Sequence, residues 1–496
     1  MVRFCHGPFP PLASLGTVVA VARRTKIVAT IGPASGDDAT LADMMRAGMD
    51  VARISLAHTP LEHAIERHRR VRRVAEELGV NIATMLDLPG SKIRVGQTGS
   101  EGIVLATEDT IDLASGAGPS TREQLTIDDP SVLDDCQEGD QIALAGGTVL
   151  LDIEKKNGDG SAIGRVTAGG LLSGRPGVHT QFGSNEHSGT NGDRALCEEF
   201  ADEHVDMIAA SVNKGDELRD LGLESHPHGP MLVAKIETLA AVEELDSIID
   251  QASGILVGRS GLGLESPLEE LPHLQKRVTR ECISGGLPVI TAGQMLDSMT
   301  VSPSPTRAEA TDIANAVFDG TSAVMLSAET AVGAQPALVV ATMASIAETA
   351  DDRFDHVEWG RQVAQLRMAG HESTATAITD ALTIAAAEAA EAMNLKAIIC
   401  VSESGFTVRS MARFRPGTKI LGFSSNPRTV RQLASSWGVT PIFLEGAPND
   451  YLVRVRVALN LSKRAGHIAT GDLVGVVAGI SESARSTDTF RLVRVP

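Results

Sequence analysis

Between Met231 and Glu265 the chain reads MLVAKIETLAAVEELDSIIDQASGILVGRSGLGLE, and this stretch constrains the fold more than any other. Leu232-Val233-Ala234 is a short apolar run with Lys235 and Glu237 at its end. Leu239, Val242, Leu245 and Ile249 recur at helical spacing, and Gly254 to Gly258 is a second buried strand followed by a loop. Two strands joined by a helix imply a right-handed parallel crossover. Function in such units sits at the carboxyl ends of the strands. Lys235 and Glu237 alternate there, so strand periodicity puts both side chains on one side. An ammonium beside a metal-binding carboxylate suits phosphoryl transfer, where charge must be neutralised as it moves. The plainer alternative is a barrel-end ion pair.

The same pattern repeats along the chain. Strands are expected at Lys26 to Ile31, Val51 to Leu56, Ile82 to Leu88, Val205 to Val212, Leu232 to Ile236, Ile255 to Val257, Pro288 to Ala292 and Ala323 to Leu326. Helical patterns separate most of them, including a basic amphipathic helix from Leu61 to Leu78. Eight such units predict an α/β fold of the TIM (β/α)8-barrel type. The barrel is expected over 24–94 and 184–355. The interval 95–183 breaks the pattern: it is rich in Gly, Asp, Ser and Thr with short β-like pieces, and reads as a small β-barrel cap inserted after strand three. Residues 356–496, with an Ala-rich helix and alternating strands, read as a C-terminal α/β domain. Residues 1–23 hold three prolines and a small-residue run, and are expected to be an unfolded extension or the product of an upstream start codon rather than a signal peptide.

Among the 496 residues, 44 Lys+Arg oppose 63 Asp+Glu, a net charge of −19. Acidity of this kind argues against nucleic acid or an anionic membrane as partner. Cys5, Cys136, Cys197, Cys282 and Cys400 are scattered, with no C-x-x-C pair, which fits reduced thiols in a cytoplasmic protein.

Most of the chain, roughly Arg24 to Pro496, resembles the pyruvate kinase family. The resemblance rests on the stretch above, on Val51-Ala52-Arg53-Ile54-Ser55-Leu56-Ala57-His58, on Leu86-Asp87-Leu88-Pro89-Gly90-Ser91-Lys92-Ile93-Arg94, on Pro305-Thr306-Arg307-Ala308-Glu309 and on Met325-Leu326-Ser327-Ala328-Glu329-Thr330. It implies a barrel with an inserted cap and a C-terminal α/β domain. It also implies that Lys235, Arg53 and Arg94 face phosphoryl groups and that His58 lies near the nucleotide. Ser211 would lie near metal and phosphate, Glu237 would bind Mg²⁺ or Mn²⁺, and Gly258, Ser260, Gly261 and Gly293 would border the substrate. A homo-oligomer is expected, with a small phosphorylated or carboxylated metabolite and ADP or ATP as partners.

This chain departs from the family at several of these positions. Gly261 stands where the second metal carboxylate would be, and Gly293 where a threonine hydroxyl would hold the substrate carboxylate. The monovalent-cation position reads Ser55, Asp87 and Lys92, with Ala57 beside it. Lys92 stands in for the ion, so potassium is not expected to be required. The cap has Leu144-Ala145-Gly146-Gly147 in place of acidic residues, and Arg175-Pro176-Gly177 where a lysine would approach phosphates. In the C-terminal domain Ser402, Ser404 and Thr407 resemble an effector phosphate loop, but Glu403 within it argues against a sugar phosphate. The implied reaction is phosphoenolpyruvate and ADP to pyruvate and ATP, weakened or altered. One alternative is an enzyme for a larger metabolite, which the two glycines would make room for. The other is a non-catalytic paralogue serving as sensor or subunit.

Overall fold

The computed structural model describes residues 23–57, 59–90, 93–99, 101–180, 191–224, 226–368, 374–446, 450–479 and 487–496. Eight parallel strands close into a barrel: Lys26–Thr30, Val51–Ser55, Ala83–Asp87, Met207–Ser211, Met231–Ile236, Gly254–Gly258, Val289–Ala292 and Ala323–Leu326, each beside its neighbours in chain order and the eighth against the first. Alternation along these strands builds two cores. Val28, Val51, Ala83, Met85, Met207, Ala209, Met231, Val233, Leu256 and Ile290 fill the lumen. The residues alternating with them, such as Ile27, Ala29 and Ala52, pack outward on the helices.

The lumen-facing parity decides the site. Counting on by two from Val51 gives Arg53 and Ser55, from Met85 gives Asp87, from Ala209 gives Ser211, and from Val233 gives Lys235 and Glu237. Register agrees, since Ser55 pairs with Asp87 and Ser211 with Lys235.

The surrounding helices follow local chemistry. Asp37 caps the helix Asp38–Ala47 by accepting from the Thr40 amide at 3.0 Å, and Gly48 ends it. The helix Leu61–Leu78 buries Ala64, His68, Val71, Val74 and Ala75, one face of a 3.6-residue repeat. Two local expectations need correction. The crossover after strand five is two short helices, Leu239–Glu243 and Leu245–Gln251, rather than one. The segment after strand six is a helix, Arg259–Glu265, not a loop. It forms despite two glycines because it rests directly on the main chain after strand five: a Cβ on Gly261 would stand 2.5 Å from the Glu237 carbonyl oxygen.

The cap, entered after strand three, is a six-stranded sheet plus a two-stranded ribbon around one apolar core that includes Val95, Ile111, Leu113, Leu125 and Leu151. The C-terminal domain is a five-stranded sheet with helices on both faces. Its edge strand Thr489–Arg494 runs antiparallel to Leu473–Ala478 and was not legible in the sequence. Where this domain meets the barrel, the buried Arg415 guanidinium stacks against Phe354, Trp359 and Trp437, 4.8–5.1 Å from the ring centroids. It also donates to the carbonyls of Gly320 and Thr321. Burial pushes its pKa down to about 9. No helix among the described residues is long and apolar enough to cross a membrane.

Candidate active site

A cleft of roughly 900 Å³ opens at the carboxyl end of the barrel, roofed by the cap. Arg53, Ser55, Asp87, Arg94, Lys235, Glu237, Gly258, Ser260 and Gly293, all singled out in the sequence, line it together. His58 and Lys92 lie outside the described residues.

Its centre is Asp87. One carboxylate oxygen accepts from the Lys235 ammonium at 2.8 Å. The other accepts from Arg53 Nε at 2.7 Å and lies 2.7 Å from Nη2 in the same ion pair. Lys235 also donates to the Leu88 carbonyl at 3.1 Å, and Arg53 Nη1 to the Thr30 hydroxyl at 2.8 Å. An ammonium has three N–H groups and a guanidinium five. These contacts therefore leave one N–H on Lys235 and N–H groups on both terminal nitrogens of Arg53 for an anion in the cleft. Burial alone would lower the Lys235 pKa. The carboxylates of Asp87 and Glu237 outweigh it and hold the ammonium above the ordinary lysine value. Lys235 is thus a fixed positive charge rather than a base at neutral pH.

Glu237 stands on the next lumen-facing position and accepts from the Ser211 hydroxyl at 2.8 Å. Its side chain leans on Gly258, where a Cβ would meet Glu237 Cγ at 2.6 Å. Arg94 sits at the cap hinge. Its amide donates to Asp128 at 2.7 Å and its guanidinium to the Arg175 carbonyl at 3.0 Å, while Arg175 pairs with Asp128. Burial and then Arg175 move the Arg94 pKa down.

The donor chemistry admits a divalent cation in one way. Glu237 is the carboxylate able to face it. Asp87 is committed to two cationic side chains, and position 261 has no side chain. Among the described residues no group of three or more His, Cys, Asp or Glu could hold a metal. Mg²⁺ commonly binds through one or two carboxylates with substrate oxygens and water completing its shell. Glu237 fits that limited role.

Gly261 does not border open space, since a side chain there would strike the Glu237 main chain. Gly293 does border the cleft, but at φ +100°, and its missing side-chain position lies 3.1 Å from the Ser260 hydroxyl. The expectation that both glycines enlarge the pocket is therefore not what the geometry favours. In the C-terminal domain the buried Thr407 hydroxyl is engaged with Thr487 at 2.9 Å. Glu403 there pairs with Arg454 and accepts from Ser425. Ser404 lines a separate cavity with Arg409 and Arg413, while Ser402 follows the strand Ala397–Val401.

Sequence reading missed Arg259, whose guanidinium grips the Gly293 carbonyl and pairs with Asp312 at 2.7 Å. It also missed Gln97, His179 and Ser327, which line the cleft. A basic residue immediately after a barrel strand was a signal available for Arg259. The cap residues had none, because their approach depends on how the cap docks.

Closed barrel, inserted cap and a mouth lined by Arg53, Arg94 and Lys235 together define a (β/α)8-barrel protein with an inserted cap domain. Residues 22–340 match the family described as "Pyruvate kinase, barrel domain", and residues 380–493 match "Pyruvate kinase, alpha/beta domain". The chain is 37% identical to a pyruvate kinase of Geobacillus stearothermophilus over 482 residues, 95% of this chain and 80% of the relative. It is 36% identical to that of Methylorubrum extorquens over 462 residues, 92% and 94% of the two chains. It is 34% identical to that of Staphylococcus epidermidis over 479 residues, 95% and 80%. The chain belongs to the pyruvate kinase family.

Proposed function

We propose that the protein transfers a phosphoryl group from phosphoenolpyruvate to ADP, at a rate lowered by the single metal carboxylate. The observation that carries this reading is the Asp87 carboxylate holding Lys235 and Arg53 side by side, with N–H groups left for phosphate oxygens. In the reaction the P–O bond to the enol oxygen breaks and a P–O bond to the terminal ADP oxygen forms. The enolate then takes a proton at carbon to give pyruvate. Lys235 and Arg53 offset the negative charge on the moving group, and Arg94 adds charge from the cap hinge. Fixing both cations on one buried carboxylate spares reorganisation as the charge moves. A divalent cation at Glu237, when bound, would supply further charge neutralisation. The close approach of Gly261 to Glu237 favours a substrate of ordinary size over a larger metabolite.

The test is a pyruvate-formation assay with phosphoenolpyruvate, ADP and Mg²⁺ on the parent and on Lys235→Met. Pyruvate formation that falls roughly 10²–10³-fold in the variant is the expected result. A parent rate no higher than that of the variant would overturn the reading in favour of a non-catalytic binding role.

A further inference from the structure

Strands two and six are four apart in a closed ring of eight, so they face one another across the mouth. Arg53 lies on the first of these, two residues before its carboxyl end, and the helix Arg259–Glu265 follows the second. A small ligand whose phosphoryl group lies against Arg53 therefore presents its other end to the wall made by Ser260 and Gly293, with Lys235 of strand five, in register with Leu256 of strand six, between the two. Both residues line the cleft. That wall has an unusual construction. Gly293, at φ +100°, has a backbone that L side chains rarely adopt, so position 293 contributes no side chain. The space such a side chain would fill is approached instead by the Ser260 hydroxyl, 3.1 Å from the missing Cβ. Arg259 pins the arrangement by donating to the Gly293 carbonyl. Ser260 itself is exposed to the cleft, and its hydroxyl is not among the hydrogen-bonded groups of the described residues.

We propose that Ser260 is a specificity-determining residue whose hydroxyl donates to the carboxylate of the substrate acid, in the place that Gly293 leaves open. This deepens the phosphotransfer reading and rests on it for the identity of the acid. The two positions act as a reciprocal pair: one residue carries the hydroxyl, and the other stays bare so that the hydroxyl fits.

The experiment compares the parent with Ser260→Ala, Ser260→Thr and Gly293→Ala, with Mg²⁺ present throughout. KM for phosphoenolpyruvate should rise about tenfold or more in Ser260→Ala, as a lost hydrogen bond to a charged group requires, while KM for ADP stays within about twofold. Ser260→Thr keeps the hydroxyl and should recover most of the affinity. Gly293→Ala should copy Ser260→Ala, because its methyl displaces the hydroxyl. Equal change in both KM values, or none, would overturn the proposal. Binding of oxalate and of inorganic phosphate, measured by calorimetry, separates this failure from failure of the reaction. If the parent makes no pyruvate, the phosphotransfer reading falls. The Ser260 proposal still stands if Ser260→Ala weakens oxalate about tenfold and leaves phosphate unchanged. It falls if oxalate binding is unchanged or is absent in the parent.

Discussion

Lys235 and Asp87 form an ion pair at 2.8 Å in which both side chains are almost completely buried, at 3% and 6% exposure. Asp87 lies at the end of strand three, where the chain leaves the barrel for the cap. Arg53 shares the same carboxylate from strand two.

Removing that carboxylate should damage both stability and turnover. Asp87→Asn keeps the shape but leaves two cations against a neutral amide. Breaking one partner of a buried charge pair costs roughly 3–5 kcal/mol. We predict a clear fall in melting temperature, with kcat for pyruvate formation reduced at least as much as KM is raised. A variant with parental stability and kcat would contradict the pairing.

Phosphotransfer should be indifferent to potassium. Both Asp87 oxygens already accept from tethered cations, so a monovalent ion would have to compete with Arg53 and Lys235 for the same carboxylate. Rates in potassium buffer and in tetramethylammonium buffer should agree within about twofold, well below one hydrogen bond's worth of stabilisation. A strong dependence on potassium would reject this.

Gly261→Asp should not rescue a second metal ligand. The new Cβ would lie 2.5 Å from the Glu237 carbonyl oxygen, which is backbone and cannot swing aside. Overpacking of this kind costs about 1–3 kcal/mol. We expect lower stability and no gain in turnover. A rise in pyruvate formation at unchanged melting temperature would show that the helix can move away.

Acid sensitivity should trace in part to His68. Its imidazole is buried in the helix Leu61–Leu78 beside the Glu203 carbonyl, and burial, with Arg72 adding to it, pushes its pKa down to about 4. Between the ordinary value of 6.5 and about 4, the unfolded chain holds a proton that the folded chain lacks. Stability therefore falls as pH drops through that window, by up to roughly 3 kcal/mol from this group. Urea titrations of the parent and of His68→Met across pH 7 to 4 check it. An equal pH slope in the two proteins would exclude the assignment.

Much of this was legible because strand periodicity is rigid. Once Lys235 and Glu237 were placed at a strand end, parity brought Arg53, Asp87 and Ser211 to the same mouth. What stayed hidden depends on distances between segments far apart in the chain. Asp87 read as a cation ligand, and its hold on both Arg53 and Lys235 was not foreseen. The helix at Arg259–Glu265 contains glycines that weaken helices locally, and tertiary contact with Glu237 overrides them. The edge strand Thr489–Arg494 follows residues that give little periodic signal, and pairing with Leu473–Ala478 defines it.

The guanidinium of Arg415 has a spectroscopic consequence. The chain contains two tryptophans, Trp359 and Trp437, and both indoles flank this one cation where barrel and C-terminal domain meet. Tryptophan emission, excited at wavelengths where the single tyrosine Tyr451 does not absorb, therefore comes from a single locality. It gives an optical gauge, with no attached label, of whether the two domains stay joined when a ligand enters the distant cleft.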